Sequence, residues 1–424
     1  MVYNAASTLK LRTDLVNFLT GGSQSGNGSD SKFPSLLRQS FVALSSGLAG
    51  IFAGFILSIY ANFFSVVPWA LTIYPGMLSI RGAIGGLFSG RLSTGLHVGT
   101  IKPSFTENTK DFYLLWSAVA TLTLISSLIM SILSTILSLT IEATTIGNVI
   151  TMLGVLISTM FLSLIIKTPV TMAISFTSFK YGLDPDVITY PVSAVITDII
   201  VTVCYGITLS LSFFYSVLGA SVIWILNVVF FAITFCFVFR NLRETEFIKT
   251  VREAFFTIVA VAFIVNITGL FLVEIAEFVK GRKEIYVIYP ALIDIMGGVG
   301  SIVGSTATTK LTIGTLEHSI RSIREHLAEI FGAWIASLIM YVFSVFFLLI
   351  WVRCSVWRFL TLIYTVLLSN VLSAPIICLI AFTVGMSTFR RGLDPDNFVI
   401  PIESSLADAI TTICLLISLI IVSY

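Results

Sequence analysis

Two aspartates, Asp198 and Asp408, carry the pattern that most strongly indicates ion chemistry. Each closes a 17-residue stretch that begins Gly-Leu-Asp-Pro-Asp, and the two stretches, which start at Gly182 and Gly392, align without a gap. If the helices begin near residues 187 and 397, each aspartate lies about 11 residues, or roughly 16 Å, along its helix. That depth is near the middle of a hydrocarbon core of about 30 Å, where ionisable side chains commonly mark an ion path.

A symmetric pair of carboxylates inside a membrane predicts a cation site. If the segments that hold them are parallel, the two carboxylates face each other across a pseudo-two-fold axis, where they repel unless a cation lies between them. The alternative is that each aspartate is protonated or bonded to a neighbouring helix as structural glue. The histidines form no cluster with metal-ligand spacing, so zinc or copper is not indicated. Carboxylates with retained water favour Mg²⁺.

Several polar residues near these aspartates are candidates for the wall or the entrance of an ion path. Asp294 stands where the first half of the chain has Ser79, and Glu403 stands where it has Ser193, so both would add negative charge to one side only. Glu277 lies near the end of its segment, at an entrance or simply at the interface. The accessory candidates are Asp294, Glu403, Ser193, Thr197, Glu277 and Asn62.

The Gly-Leu-Asp-Pro-Asp loops have two readings. Pro185 and Pro395 suit the first turn of a helix, and the acidic residues complement its N-terminus, so capping explains the loops slightly better than ion recruitment does. Pro191 and Pro401, further along, free backbone carbonyls that could line the same path.

The elements that must position these residues are membrane helices. The 424-residue chain is 56% apolar and 11% charged, with a formal net charge of +2, which excludes a soluble globular protein and gives no reason to expect a nucleic-acid partner. Apolar runs predict eleven spans, of which the Gly-rich segments 70–92 and 285–308 are the least apolar. The predicted spans are 41–66, 70–92, 112–140, 147–178, 187–212, 217–239, 252–279, 285–308, 328–351, 357–388 and 397–422.

The distribution of basic residues predicts the orientation of these spans. With the N-terminus inside, 17 of the 24 Lys and Arg residues fall on the cytoplasmic side and five outside, while Arg81 and Lys167 fall within spans. An odd number of spans then places the C-terminus outside.

The two halves of the chain repeat each other. Ile73 to Thr100 aligns without gaps to Ile288 to Thr315, with matched Tyr, Pro and Gly residues that an apolar bias cannot supply. Each repeat holds five spans, so the extra span 217–239 is needed to keep both copies in the same orientation. We therefore predict a polar cytoplasmic tail (1–37), a first repeat (38–215), a linker transmembrane helix (216–245) and a second repeat (246–424).

The duplicated motifs resemble those of the MgtE magnesium channels. The Asp-Pro…Pro…Asp pattern, in which Asp198 follows Asp184 and Asp408 follows Asp394 at a spacing of 14 positions, is similar to that family's last helix. The earlier Pro…Gly-x-x-Gly segment, at Pro75 and again in the second repeat, resembles its second helix. Bacterial members are homodimers of a five-helix domain, and the eukaryotic solute carrier family 41 fuses two such domains in one chain, the form that this sequence resembles from about residue 38 to 424.

The resemblance implies a function and also has two departures. It implies that Asp198 and Asp408 match the pore aspartate that holds hydrated Mg²⁺ on the dimer axis. The short polar segment 1–37 cannot hold the family's cytoplasmic sensor region, so we expect no gating by that device. The family's Gly-Asn motif appears as Gly82-Ala83 and Gly297-Gly298, so ion selectivity does not carry over.

Together these patterns predict a multi-pass protein of the cell membrane that transports a divalent cation, Mg²⁺ first and Mn²⁺ or Co²⁺ as further candidates. We expect membrane lipid as its surroundings, no cofactor, no enzymatic activity and a functional monomer that acts as a pseudo-dimer. The alternatives are a Na⁺- or H⁺-coupled carrier of another solute, or a non-transporting membrane scaffold with structural aspartates.

Overall fold

The protein consists of long helices joined by short connections. The computed structural model describes residues 32–423, with gaps at 65, 142–144, 182–184, 280–281, 318, 353–354 and 392–394, and these residues contain no β-strand. The helices are α1 (Lys32–Ser45), α2 (Gly50–Ile59), α3 (Ala61–Phe64), α4 (Pro68–Thr72), α5 (Tyr74–Val98), α6 (Lys110–Ile141), α7 (Ile146–Lys180), α8 (Pro185–Phe214), α9 (Ser216–Asn241), α10 (Thr245–Val279), α11 (Lys283–Ile313), α12 (Leu327–Trp351), α13 (Val356–Arg391) and α14 (Pro395–Ser423).

Ten helical segments among these residues are long and apolar enough to cross a membrane, so the chain is an all-α polytopic membrane protein. The first of them, Phe33–Ile59, comprises α1 and α2 with the 3₁₀ turn Ser46–Ala49 between them. The predicted span 41–66 overlaps this segment, which begins and ends earlier in the chain because short helices follow Ile59. The predicted span 70–92 corresponds to the helix α5. This helix is not among the ten, because its Gly, Ser and Arg residues lower its mean hydropathy. The count of eleven crossings stays a prediction.

The second long helix of each repeat, α5 in the first and α11 in the second, lies inside the bundle. Within Lys283–Leu311, 72% of the most apolar window is buried, compared with 22% for Val217–Asn241 in α9. A buried helix contacts protein on most sides, so small and polar residues are tolerated in it, whereas a peripheral helix must present apolar side chains to lipid. This difference explains why α5 and α11 are the least apolar of the long segments and why α9 is uniformly apolar.

Corresponding residues of the two repeats make corresponding contacts. The Tyr74 hydroxyl lies 3.0 Å from the Thr202 hydroxyl, and the Tyr289 hydroxyl lies 2.9 Å from that of Thr412. The aligned glycines that follow α5 and α11 both adopt the left-handed conformation, with φ of 82° at Gly99 and 75° at Gly314. That conformation terminates a helix at little cost only when the residue lacks a Cβ. The matched glycines in the sequence therefore terminate corresponding helices.

The first helix of each repeat packs on the other repeat. Helix α2 of the first repeat crosses α11 of the second, where a Cβ on Gly54 would overlap the Val287 carbonyl. Helix α10 of the second repeat packs on α4, α5 and α6 of the first, and a Cβ on Gly269 would overlap the Thr72 carbonyl. Gly54 and Gly269 are corresponding residues, so the same close backbone approach holds both crossings. Each repeat therefore packs against a helix that belongs to the other repeat.

The helices α8 and α14 begin at Pro185 and Pro395, which agrees with the prediction that these prolines open the helices. The rest of the Gly-Leu-Asp-Pro-Asp loops, residues 182–184 and 392–394, and the side chain of Pro191 lie outside the described residues. Their capping and ion-recruitment readings stay open.

Candidate functional site: a carboxyl-lined cavity between the repeats

A cavity of about 630 Å³ lies between the two repeats. Its walls come from one face of α5, from Leu78 to Gly90, and from the corresponding face of α11, from Ile293 to Ile302. The lining is completed by residues of α8 from Ala194 to Asp198, by residues of α14 from Pro401 to Asp408, and by residues of α1 and the 3₁₀ turn. Gly82 and Gly297 belong to these walls, and a Cβ at Gly82 would meet no atom within 4 Å, so the small residues leave open space.

Three aspartates line this cavity among the described residues. Asp198 on α8 is 9% exposed and Asp408 on α14 is 7% exposed, while Asp294 on α11 is partly buried. The predicted pair is thus present in one cavity with a third carboxyl beside it. Carboxylates that share one cavity repel one another when they are ionised.

Each central aspartate shares the cavity with a polar residue from the second helix of the opposite repeat. The Ser79 hydroxyl donates a hydrogen bond of 2.5 Å to Oδ2 of Asp408. Asp294, which corresponds to Ser79, lines the same cavity as Asp198. One arrangement therefore occurs twice, once with a hydroxyl and once with a second carboxyl. Two ionised carboxyls in such a place repel each other, and a shared proton or a cation between them removes that repulsion.

The cavity extends from the aspartates toward one side of the membrane. On α8 its lining residues run from Ala194 to Asp198, so they precede the aspartate on the side where the helix begins. On α5 the lining runs for 12 residues, or about 18 Å, toward the helix C-terminus. Beyond the aspartates, the tyrosine pairs Tyr74 with Thr202 and Tyr289 with Thr412 fill the space and do not line the cavity.

Not all the accessory candidates reach the cavity. Thr197 lines it, although its hydroxyl is already bonded to the Ser193 carbonyl at 2.5 Å. Ser193 and Glu403 are buried behind the wall, and neither lines the cavity. Asn62 and Glu277 are exposed, on α3 and near the end of α10.

Two buried basic residues belong to the first repeat, and sequence reasoning assigned no role to them. The Arg81 guanidinium donates to the Thr123 hydroxyl at 3.2 Å and to the Ser163 carbonyl at 3.4 Å. The Lys167 ammonium donates to the Arg81 carbonyl at 3.2 Å and interacts electrostatically with Asp198. Their position within predicted spans was the signal that pointed to them, since an isolated cation there requires partners.

The donor set does not form a compact site for a bare metal ion. In the described part of the chain, no group of three or more His, Cys, Asp or Glu side chains is arranged to hold one. The cavity offers carboxyl and hydroxyl oxygens around a wide space, which suits a hard cation that keeps its water.

The fold and the cavity define a duplicated helical membrane protein with an acidic cavity between its halves. The model of the MgtE family, described as divalent cation transporter, matches residues 74–208 and 289–418, which is more than half of the chain. The chain belongs to the MgtE family. Its substrate is accordingly a divalent cation, and the family is one of transporters, not enzymes. Neither the curated proteins nor the solved structures that were compared with the chain gave a match.

Proposed function

We propose that the protein carries Mg²⁺ across the membrane through the cavity between its repeats, residues 38–215 and 246–424, with Asp198 and Asp408 as central ligands. The observation that carries this proposal is the meeting of both aspartates and Asp294 in a single cavity. Three carboxyls with little exposure to solvent repel one another, and a divalent cation between them removes that repulsion.

The size of the cavity supports transport of a hydrated ion. Mg²⁺ gives up its octahedral water shell reluctantly, and a water molecule occupies about 30 Å³ in the liquid. An ion with six waters therefore needs roughly 200 Å³, which the cavity of about 630 Å³ can hold. Contacts through water also fit carboxyls that are spread over several helices.

The proposed orientation places the cavity mouth in the cytoplasm. The predicted topology has α8 and α14 begin on the inner side, and the cavity runs from the aspartates toward those helix starts. The chain would then load or release its cation inside the cell, with the tyrosine-threonine pairs closing the outer side. Because one chain supplies both walls, we propose that the monomer is the functional unit.

Flux and binding of Mg²⁺ by Asp198→Asn and Asp408→Asn variants test the proposal. In liposomes we expect each variant to lose most Mg²⁺ flux, because the amide keeps the shape of the carboxyl and removes its charge. In detergent, we expect Mg²⁺ to raise the thermal stability of the wild type, by about 2.7 kcal/mol at 100 times the dissociation constant. Both variants should lose most of this gain.

Asp111→Asn is the matched control, because Asp111 is exposed in the first turn of α6. Unchanged flux and unchanged Mg²⁺ stabilisation in folded Asp198 and Asp408 variants contradict the proposal. A scaffold with structural aspartates predicts lower stability of the variants with no Mg²⁺ dependence in any of them. A carrier of another solute predicts flux that follows a Na⁺ or pH gradient and ignores Mg²⁺.

A further inference from the structure

Glu403 is a buried acid that the cation cavity does not use. Its side chain on α14 is 3% exposed, and its Oε1 atom has no hydrogen-bond partner. The carboxyl lies over Gly300 and Gly304 of α11, where a Cβ at the first would overlap Oε1 and a Cβ at the second would come within 3.1 Å of Oε2. The neighbouring residues Pro401 and Ser404 line the cavity, so Glu403 lies directly behind its wall.

The first repeat holds a lysine at the corresponding place. Gly85 corresponds to Gly300, and a Cβ at Gly85 would overlap the Lys167 ammonium. Lys167 corresponds to Ile377, whose side chain lies 3.3 Å from the Cβ position of Gly300. The pocket over this glycine is therefore occupied by a lysine side chain in one repeat and by an aliphatic side chain and an acid in the other.

The second repeat also lacks the polar partner that the first repeat provides. In the first repeat the hydroxyls of Thr171 and Ser193 lie 3.0 Å apart. The corresponding residues of the second repeat are Ala381 and Glu403, so the second repeat has no hydroxyl at the place of Thr171. At these three positions the second repeat has Ile, Ala and Glu where the first repeat has Lys, Thr and Ser. Oε1 of the Glu403 carboxyl is therefore left without a hydrogen-bond donor.

We propose that Glu403 is a proton-binding site of the second repeat, at the place where the first repeat holds the Lys167 ammonium. An ionised carboxylate without a cation or hydrogen-bond donor costs several kcal/mol at such a place, and a bound proton removes the charge. A metal ion such as Na⁺ would need several oxygen ligands, whereas the surroundings are glycine, alanine and isoleucine. The proposal does not depend on which ion the cavity carries.

Among the described residues, no ionisable side chain pairs with the Glu403 carboxyl and so takes the place of a bound proton. The nearest along the surrounding helices are Asp294 and Lys310 on α11, His326 before α12, Tyr341 on α12, Cys378 on α13, Asp408 on α14 and Arg81 on α5. In the described part of the chain, none of them is hydrogen-bonded or ion-paired with Glu403. Helix α10, which also packs on α14, has no ionisable side chain between Glu253 and Glu274. A proton on Glu403 removes one negative charge from behind the cavity wall, so this site and a cation in the cavity weaken each other's occupancy.

Infrared difference spectroscopy of the Mg²⁺-free protein at neutral pH tests the proposal. We expect the wild type to show the C=O stretch of a buried protonated carboxyl, and Glu403→Gln to lose one such band. Glu277→Gln, which changes an exposed glutamate, should lose none. Ile377→Lys places an ammonium where the first repeat has one, so we expect it to remove the same band while Glu403 is retained.

A band that persists unchanged in folded Glu403→Gln shows that Glu403 is ionised in the native protein and overturns the proposal. If Glu403→Gln does not fold, Ile377→Lys decides in the same way, because an unchanged band there also overturns the proposal. Since no Mg²⁺ is present, the result is separate from the outcome of the flux experiments.

Discussion

At the scale of single residues, the site is a pseudo-symmetric arrangement with unequal charges. The same place beside a central aspartate is filled by Ser79 in one repeat and by Asp294 in the other. The first repeat also carries the buried Arg81 and Lys167, whereas the second carries the buried Glu403. Because Asp294 lines the cavity where the first repeat has the uncharged Ser79, the second wall of the cavity is the more negative one, and a cation is expected to lie closer to it.

Asp294→Ser tests this asymmetry, because it gives the second repeat the residue of the first. We expect the affinity for Mg²⁺ to fall about tenfold or more, since the loss of one nearby negative charge costs more than about 1.4 kcal/mol at short range. The measurement is a Mg²⁺ titration by isothermal calorimetry or by thermal stabilisation. Ser79→Ala serves as a comparison, because it removes a hydrogen bond and leaves the charge unchanged. Equal affinity of the wild type and Asp294→Ser would show that Asp294 does not contribute to binding.

At the scale of helices, contacts of the first helix of each repeat with the other repeat hold the two repeats together. Gly54 brings α2 against the α11 backbone, and Gly269 does the same for α10 against Thr72. Polar contacts accompany the second crossing, where the Ser134 hydroxyl donates to the Asn266 side chain at 2.6 Å and Arg91 pairs with Glu253 at 2.9 Å. The two faces of the cavity are thus held by helices that cross from one repeat to the other.

Gly54→Ala tests the close approach of α2 and α11. The added methyl group would overlap the Val287 carbonyl, so the helices must separate, and overpacking of this kind typically costs about 1–3 kcal/mol. We expect a lower midpoint of thermal unfolding in detergent and reduced flux. Gly147→Ala is the control, because a Cβ at that exposed position meets no atom closer than 4.0 Å. A midpoint like that of the control would mean that the crossing is looser than this packing implies.

At the scale of the whole molecule, the cavity lies on one side of the aspartates only. The lining ends at the level of the aspartates, and buried tyrosines and Trp69 fill the bundle beyond them. The Tyr205 hydroxyl donates to the Ala70 carbonyl and ties α8 to α4 on that side. An alternating or gated mechanism would have to break these contacts to let the cation leave on the other side.

The accessibility of introduced cysteines tests the direction of the cavity. A membrane-impermeant thiol reagent should label Gly90→Cys from the cytoplasmic side only, because Gly90 lines the cavity and has open space around it. Thr202→Cys, which lies beyond the aspartates and is 1% exposed, should not react from either side. The wild type gives the background from its own cysteines. Labelling of Gly90→Cys from the outside alone would reverse the proposed orientation.

The class of the protein and its duplication could be predicted from the sequence, and the sequence also pointed to Asp198 and Asp408, which the structure brings into one cavity. Apolar runs, matched glycines and the repeated Gly-Leu-Asp-Pro-Asp stretches are local patterns, and local patterns can be read along a chain. Asp198 and Asp408 were identified for the same reason, since an acid in an apolar run is conspicuous. The beginnings of α8 and α14 at Pro185 and Pro395 were predicted from helix-start chemistry alone.

Which residues come into contact could not be predicted from the sequence. The contact between Ser79 and Asp408 joins residues 329 positions apart, and the exchange of first helices has no signal in the periodicity of either helix. The same holds for Glu403, which sequence reasoning assigned to the path and the structure places behind its wall. In a membrane both the lipid and the protein interior are apolar, so the faces of a helix have similar compositions. Which face lines the cavity is therefore decided by packing between segments that are distant in the sequence.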